Sequence, residues 1–249
     1  MSRQSCAVAV ARLAVPKRHE PSSKGMKQTK PAQAMELRSL SPVLGRLGRY
    51  VIRLFGGGTP EERFWRWFQK HSARLLQFDT DQERLFDELG AALRRVEEGL
   101  TFEFGPIREG RREFVVSADG LKKHFPAVRR LVAAAPPLSD WIITPFRPPA
   151  SLNMIIEYGG VTLGPEDVWF REEPDRDRVG LTLYVKGLTA DNKPTLGSAG
   201  YILLDNALGE YAVETQVGFV EWRSLPQDPV AAGLRPFTQI RQPFERVQH

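Results

Sequence analysis

The chain has 249 residues, of which 41% are hydrophobic and 26% are charged, proportions that are ordinary for a globular protein. Its positive charge is concentrated in residues 1–58, which hold 11 of the 35 Lys and Arg residues, whereas residues 59–249 carry a net charge of −4. The overall positive charge therefore gives no argument for specific nucleic-acid binding by residues 59–249.

The cysteine content and hydropathy narrow the class of protein further. Cys6 is the only cysteine, which excludes an intrachain disulfide and a cysteine zinc site, and it fits a reducing compartment. No stretch approaches the roughly 20 consecutive apolar residues of a membrane-spanning helix. These features predict a cytoplasmic protein.

Residues 1–58 are predicted to be a basic, partly disordered N-terminal extension. Ser41 and the glycines at 56–58 would bound a short amphipathic helix with a positive face. That helix would contact an anionic membrane surface, bind an acidic groove of a partner, or dock on the chain itself. Translation from Met26 or Met35 is favoured over a mitochondrial presequence. The residues of the positive face are Arg46, Arg49 and Arg53.

Residues 59–224 are predicted to form one globular domain that begins with helices. Thr59 and Glu62 form a capping box with Pro60 at the first helical position, and Thr80 with Glu83 repeats that box before a second helix.

Alternating apolar residues then predict an antiparallel hairpin over 101–104 and 112–117. Asp119-Gly120 breaks this hairpin, and a third helix follows, with Pro126 near its start and an end near Ala134.

The rest of this domain is predicted to be rich in strands, and residues 225–249 an irregular tail that contains prolines. Short connections favour antiparallel pairing. The sequence thus predicts an α+β fold in which a mainly antiparallel sheet of about six to eight strands carries about three helices on one face. The later strands are expected at 141–146, 153–158, 168–171, 179–186, 199–204 and 217–222.

Signatures of cofactor, metal and nucleophilic chemistry are absent from the sequence. It contains no HExxH, GxSxG, P-loop or dinucleotide-binding motif, and neither His71 nor His124 has another ligand at metal-binding spacing. We therefore expect no cofactor and no metal.

Polar residues where strands end are the main candidates for ligand binding. The predicted rim consists of Asp119, Arg147, Asp205 and Glu210, although Asp and Gly at such positions also make ordinary turns and helix caps.

Two further sets of residues each allow a functional and a structural interpretation. Trp65 and Trp67 would offer a partner surface if one of them is exposed, and would otherwise pack in the core. Glu103 and Glu113 would lie close together on the hairpin, either as the carboxylates of a hydrolase or in ion pairs with arginine.

Several segments resemble an uncharacterised group of bacterial proteins to which no activity has been assigned. The resemblance spans about residues 60–222 and leaves out the N-terminal extension. It implies a bacterial, intracellular origin and no catalytic residues. The segments that carry it are Phe64–Phe68, Leu100–Phe104, Phe114–Gly120 and Leu204–Tyr211.

The favoured interpretation is a non-enzymatic intracellular module that binds a protein or a small-molecule ligand. One alternative is a carboxylate-dependent hydrolase. Another is a membrane-surface protein recruited through residues 41–55, since the N-terminal extension offers the expected means of membrane contact.

Overall fold

A computed structural model describes residues 57–78 and 81–245. The helix predicted over residues 41–55, with Arg46, Arg49 and Arg53, lies outside the described residues, as does Thr80 of the second capping box.

The described residues form the predicted α+β fold, with nine strands and with six α-helices instead of the expected three or so. The helices are α1 (Pro60–Leu76), α2 (Gln82–Arg94), α3 (Phe125–Ala133), α4 (Lys193–Leu208), α5 (Glu210–Gln216) and α6 (Gln242–Glu245). The strands are β1 (Thr101–Arg108), β2 (Arg111–Ser117), β3 (Trp141–Pro145), β4 (Ile156–Tyr158), β5 (Val161–Leu163), β6 (Val168–Asp175), β7 (Arg178–Val185), β8 (Val217–Ser224) and β9 (Arg235–Pro236). No helix within the described ranges is long and apolar enough to cross a membrane.

The strands form three small sheets, not the single sheet of six to eight strands that the sequence predicts. Their orders are β1-β2-β3, β4-β5 and β8-β7-β6-β9. The hairpins β1-β2 and β6-β7 are antiparallel, but β2 pairs with β3, and β7 with β8, in parallel. Parallel strands need a long crossover, which helices provide here. Pairing is mainly antiparallel, as predicted, and the two exceptions are the β2-β3 and β7-β8 pairs.

The two larger sheets share one topology. In what we call the first half, the β1-β2 hairpin is followed by α3 and by β3, which is parallel to β2. In the second half, the β6-β7 hairpin is followed by α4 and α5 and by β8, which is parallel to β7. Each half has its own core, and the chain crosses from one half to the other between β3 and β4. No repeated sequence motif accompanies this repeated topology.

Helix α1 begins with the predicted capping box. The Thr59 Oγ1 accepts a hydrogen bond from the Glu62 backbone N–H at 3.1 Å, and the Thr59 N–H donates to Glu62 Oε2 at 3.1 Å. This arrangement satisfies two amides that a helix start otherwise leaves open. The helix thereby presents an aromatic face to the first sheet.

The first core is dominated by aromatic rings from α1, α2 and the first sheet. Phe114 is fully buried on β2, and its ring centroid lies 4.8 Å from Phe68 and 5.4 Å from Phe104. Aromatic pairs at such distances stabilise a core beyond the burial of their area. The buried rings are Phe64, Trp65, Phe68, Phe78, Phe86, Phe102, Phe104, Phe114, Phe125, Trp141 and Phe146.

The second core is mainly aliphatic. One segment that contributes to it has a different secondary structure from the one predicted. Residues 199–204 were expected to form a strand but lie in the middle of α4. A short apolar run has no periodicity that separates a strand from a buried helix. The longer pattern shows the helix, since Pro194 lies in the first turn and Ala199, Leu203 and Ala207 recur at a spacing of four.

The segment that follows β8 packs against the second core. It contains little regular structure apart from β9, a 3-10 turn and α6, yet Phe237, Ile240 and Phe244 are buried in the core. The second half therefore extends to the last described residues.

Candidate functional site

The four rim residues predicted from the sequence come together where the two halves meet. Asp119 follows β2, Arg147 follows β3, Asp205 lies in the last turn of α4 and Glu210 begins α5. Glu103 of β1 joins them. We call these five residues the junction network.

Glu210 is the anchor of the junction network and is 0% exposed. Its Oε1 accepts hydrogen bonds from the backbone N–H groups of Ala118 and Gly120, each at 3.0 Å. Its Oε2 accepts from the Arg147 N–H at 3.1 Å, and its own N–H donates to the Arg147 carbonyl at 2.9 Å. A buried carboxylate is tolerated only when it is hydrogen-bonded. One side chain of the second half therefore holds two loops of the first.

The backbone next to Glu210 depends on glycine geometry. Gly209 has φ 82°, and a Cβ there would lie 3.0 Å from the Arg147 carbonyl oxygen. On the other side, Asp119 with φ 50° and Gly120 with φ 73° form a turn in which the Gly120 N–H donates to the carboxylate and the Asp119 N–H donates to Ser117 Oγ. The predicted turn chemistry at Asp119-Gly120 is thus present, and it serves the contact between the halves.

Arg147 is the cation of the junction network, which otherwise consists of carboxylates. Its Nε lies 2.9 Å from Asp205 Oδ2, and its Nη1 lies 3.0 Å from Asp119 Oδ1 and 3.6 Å from Glu103 Oε1. Burial disfavours the charged guanidinium, but the surrounding carboxylates, with Asp205 foremost, raise its pKa. Burial also raises the pKa of Asp205 and of Glu103, against the attraction of Arg147. Negative charge in the network thus exceeds what one arginine compensates.

Phe146 adds backbone strain beside Arg147. It has φ 63°, a left-handed conformation that costs a bulky residue about 1–3 kcal/mol. Its N–H donates to the Val116 carbonyl at 2.8 Å, and its ring lies 4.5 Å from Phe125 and 5.2 Å from Tyr211. Contacts from both halves therefore hold the strained residue in place.

The contacts of the junction network are internal, and they join the two halves. Glu113, which was expected to lie close to Glu103 or to pair with an arginine, accepts a hydrogen bond from the Thr144 hydroxyl at 2.5 Å. No group of three or more His, Cys, Asp or Glu side chains in the described part of the chain is placed to hold a metal ion. The hydrogen bonds and ion pairs of the network connect the two halves. Ligand binding by Asp119, Arg147, Asp205 and Glu210 stays a prediction.

Of the two tryptophans of α1, Trp65 is buried and cannot form the predicted partner surface, whereas a partner contact by the partly buried Trp67 stays a prediction. Trp65 is 2% exposed, and its Nε1 donates to the Leu131 carbonyl at 2.8 Å. Trp67 is half-buried against the first core and stacks on His71 at 4.4 Å. Adjacent aromatic residues on one helix face different directions, and here the core takes Trp65 completely.

A second candidate site, which the sequence analysis missed, is the outer face of the β8-β7-β6-β9 sheet. Trp169 lies opposite Tyr184, which in turn lies opposite Arg223. Phe219 covers Gly180, where a Cβ would collide with its ring. All three aromatic side chains are partly exposed and belong to neither core. We call Trp169, Tyr184 and Phe219 the outer aromatic face.

A row of charged residues lies between the Trp169–Tyr184 pair and Phe219 on this face. Arg171 and Glu221 flank Thr182 in the next row of the sheet, and both are exposed. A signal for this face was present in the sequence, because Trp169 and Tyr184 alternate with residues that point into the core. Aromatic residues at both alternating positions of a strand indicate that both faces of the sheet make contacts with other groups.

No family model, curated protein or solved structure matches the chain. The resemblance to a bacterial group remains a prediction. The chemistry of the junction network and of the outer aromatic face is therefore the basis for a functional proposal.

Proposed function

We propose that the protein is a non-enzymatic interaction module whose protein partner binds the outer aromatic face. The observation that carries this proposal is the position of Trp169, Tyr184 and Phe219 outside both cores on a sheet face that meets solvent. Aromatic and arginine side chains are enriched at protein interfaces, where a few of them supply most of the binding energy.

The charges around the outer aromatic face favour a protein over a nucleic acid. Arg171 and Arg223 are matched on this face by Glu173 and Glu221, and all four are exposed. Arg223 donates a hydrogen bond to Glu221 Oε2 at 2.9 Å, and this contact raises the pKa of Arg223. Phosphate backbones bind where positive charge is in excess, and this face has none.

The junction network supports the non-enzymatic interpretation over a carboxylate-dependent hydrolase. A catalytic carboxylate needs access to a substrate, whereas Glu210 is bound by three backbone amides and Asp205 by Arg147. Recruitment to a membrane through residues 41–55 concerns residues outside the described ranges. We place the module in the bacterial cytoplasm, supported by the resemblance and by the single cysteine.

Affinity capture with the full chain tests this proposal. Proteins captured from a bacterial lysate by the wild type are purified and titrated calorimetrically against the wild type, Trp169→Ala and Phe219→Ala. We expect each variant to weaken binding of the same protein at least about tenfold, because truncation of a central aromatic side chain removes a large share of interface energy.

Ile155→Ala is the matched control, since Ile155 is 58% exposed and lies outside the outer aromatic face. This variant should bind as the wild type does. The proposal is overturned if no captured protein depends on Trp169 or Phe219, or if Ile155→Ala weakens binding equally.

A further inference from the structure

We propose that β8 pairs antiparallel with β8 of a second copy of this chain, around a twofold axis at Trp222. Strand β8 is eight residues long and lies at one end of its sheet, where β7 is its only neighbour among the described strands. The pairing would join two four-stranded sheets into one sheet of eight. An open strand edge is a ready template for another chain.

The backbone geometry of β8 defines which groups a second copy would meet. The Leu225 N–H donates to the Val185 carbonyl at 3.0 Å, so the backbone groups of Leu225 face β7. Because these groups alternate along a strand, those of Arg223 and Glu221 also face β7, and those of Trp222 and Ser224 point away. A register centred on Trp222 pairs outward-pointing groups with outward-pointing groups.

Charge selects this register over its neighbours. Glu221 and Arg223 lie on the same face of β8 and are 53% and 59% exposed. With the axis at Trp222, each Glu221 lies directly opposite the Arg223 of the second copy. A register centred one residue earlier sets Glu221 against Glu221, and one residue later sets Arg223 against Arg223. Opposite charges stabilise a directly opposed pair and like charges destabilise it.

The other face of β8 supplies aromatic surface at the same axis. The Trp222 ring lies over Gly200 of α4, where a Cβ would collide with it. Tyr201 packs edge-on against this ring at 5.3 Å and is 40% exposed. Twofold pairing brings two Trp222 side chains opposite each other with a Tyr201 beside each. Aromatic cross-strand pairs are among the more stabilising in sheets.

Self-association goes beyond the proposed function and is independent of it. Trp169 lies on β6, two strands from the edge, and pairing at β8 leaves it uncovered. Phe219, Glu221 and Arg223 lie on β8 and also on the outer face, but the binding test depends on Trp169→Ala and the pairing test on charge exchange at Glu221 and Arg223, so the two proposals can fail separately.

Charge exchange on the full chain tests the pairing. We expect sedimentation equilibrium to show a wild-type dimer, and Glu221→Arg or Arg223→Glu to weaken dimerisation about tenfold or more by opposing like charges. The double variant E221R/R223E should dimerise again. An equal mixture of the two single variants should form a heterodimer, because two positive side chains then face two negative ones.

Glu173→Arg is the control, since it makes the same change of charge on the same face but on β6. It should leave the dimer unchanged. As an independent readout, the amide of Trp222 should exchange hydrogen more slowly as protein concentration rises. The proposal is overturned if the wild type is monomeric at about 100 µM. It is also overturned if the single variants dimerise as well as the wild type, or if the double variant and the mixture fail to restore the dimer.

Discussion

The two halves share a strand-strand-helix-strand topology but distribute their aromatic residues in opposite ways. The first half buries 11 rings in its core, whereas the second buries three, Phe170, Phe237 and Phe244. On the outer faces the contrast reverses, with Glu103, Glu113 and Thr144 in the first half and the outer aromatic face in the second. Rings inside a core stabilise a fold, and rings on a solvated face are available to a partner. The two halves therefore share a topology, but their aromatic residues have different roles.

Removal of the anchor between the halves should have the largest effect. Glu210→Ala leaves three buried or half-buried backbone amides without their acceptor, and we expect the free energy of unfolding to fall by about 4 kcal/mol. Urea unfolding followed by fluorescence and by circular dichroism measures this loss. The two signals should separate in the variant, because the halves lose their shared fastening.

Glu210→Gln is the matched control for this change. Its amide oxygen can still accept from Ala118 and Gly120, but its NH₂ group would then meet the Arg147 N–H, so its loss should be smaller. Equal stability of Glu210→Ala and the wild type would show that the halves do not depend on this carboxylate.

Replacement of two glycines of α4 by alanine should change the free energy of unfolding in opposite directions. Gly200→Ala drives a methyl group into the Trp222 ring and should lower the free energy of unfolding by about 2 kcal/mol. Gly197→Ala places its methyl group 3.7 Å from the same ring, an ordinary contact, and should raise stability by about 0.5–1 kcal/mol. Chemical denaturation of the three proteins checks both values. Equal effects at the two positions would mean that Trp222 does not rest on Gly200.

The capping box offers a smaller test in the first half. Thr59→Ala removes the acceptor of the Glu62 N–H and should cost about 1 kcal/mol. Thr59→Ser keeps a hydroxyl and should lie close to the wild type in thermal unfolding. A similar loss in both variants would assign the effect to the threonine methyl group instead.

The smallest expected effect is on how the free energy of unfolding changes with pH. Its direction follows from the raised pKa of Glu103. Burial raises the pKa of Glu103 above its ordinary value, so ionisation of the folded state costs more than that of the unfolded state. The contribution of this group is full at acid pH and is lost as pH rises through the folded pKa. Glu103→Gln should therefore lose less stability than the wild type as pH rises above the ordinary glutamate pKa of 4.5.

Denaturation at several pH values measures this difference between the proteins. Glu173→Gln, which changes an exposed carboxylate, should follow the wild type. A steeper fall in Glu103→Gln than in the wild type would contradict the assigned direction.

Local signals in the sequence predicted local structure well. The capping box at Thr59, the first hairpin and the helix with Pro126 near its start are all confirmed. Each depends on residues within a few positions of one another. The strand expected at 199–204 was wrong because burial of α4 makes its centre apolar on several sides, so that the helical spacing is visible only over the longer run that extends to Ala207.

Long-range pairing was beyond such signals. No residue pattern near Trp141 or Val217 indicates that β3 pairs in parallel with β2 or that β8 pairs in parallel with β7. The sequence indicated Asp119, Arg147 and Glu210 because these polar residues lie at the ends of helices or strands, where connecting segments of the chain meet. Glu103 was assigned to Glu113 because both lie on one hairpin face, and the contact with Arg147 comes from a distant loop.

The position of Glu210 late in the chain also has a consequence for synthesis. Ala118, Gly120 and Arg147 leave the ribosome well before the carboxylate that accepts their hydrogen bonds, since translation runs from the N-terminus. Until α5 is made, these three amides have water as their partner and the left-handed turn at Phe146 lacks its Tyr211 contact. The first half can therefore collapse around its rings early, but the loops that face the second half acquire their final shape only when that half arrives.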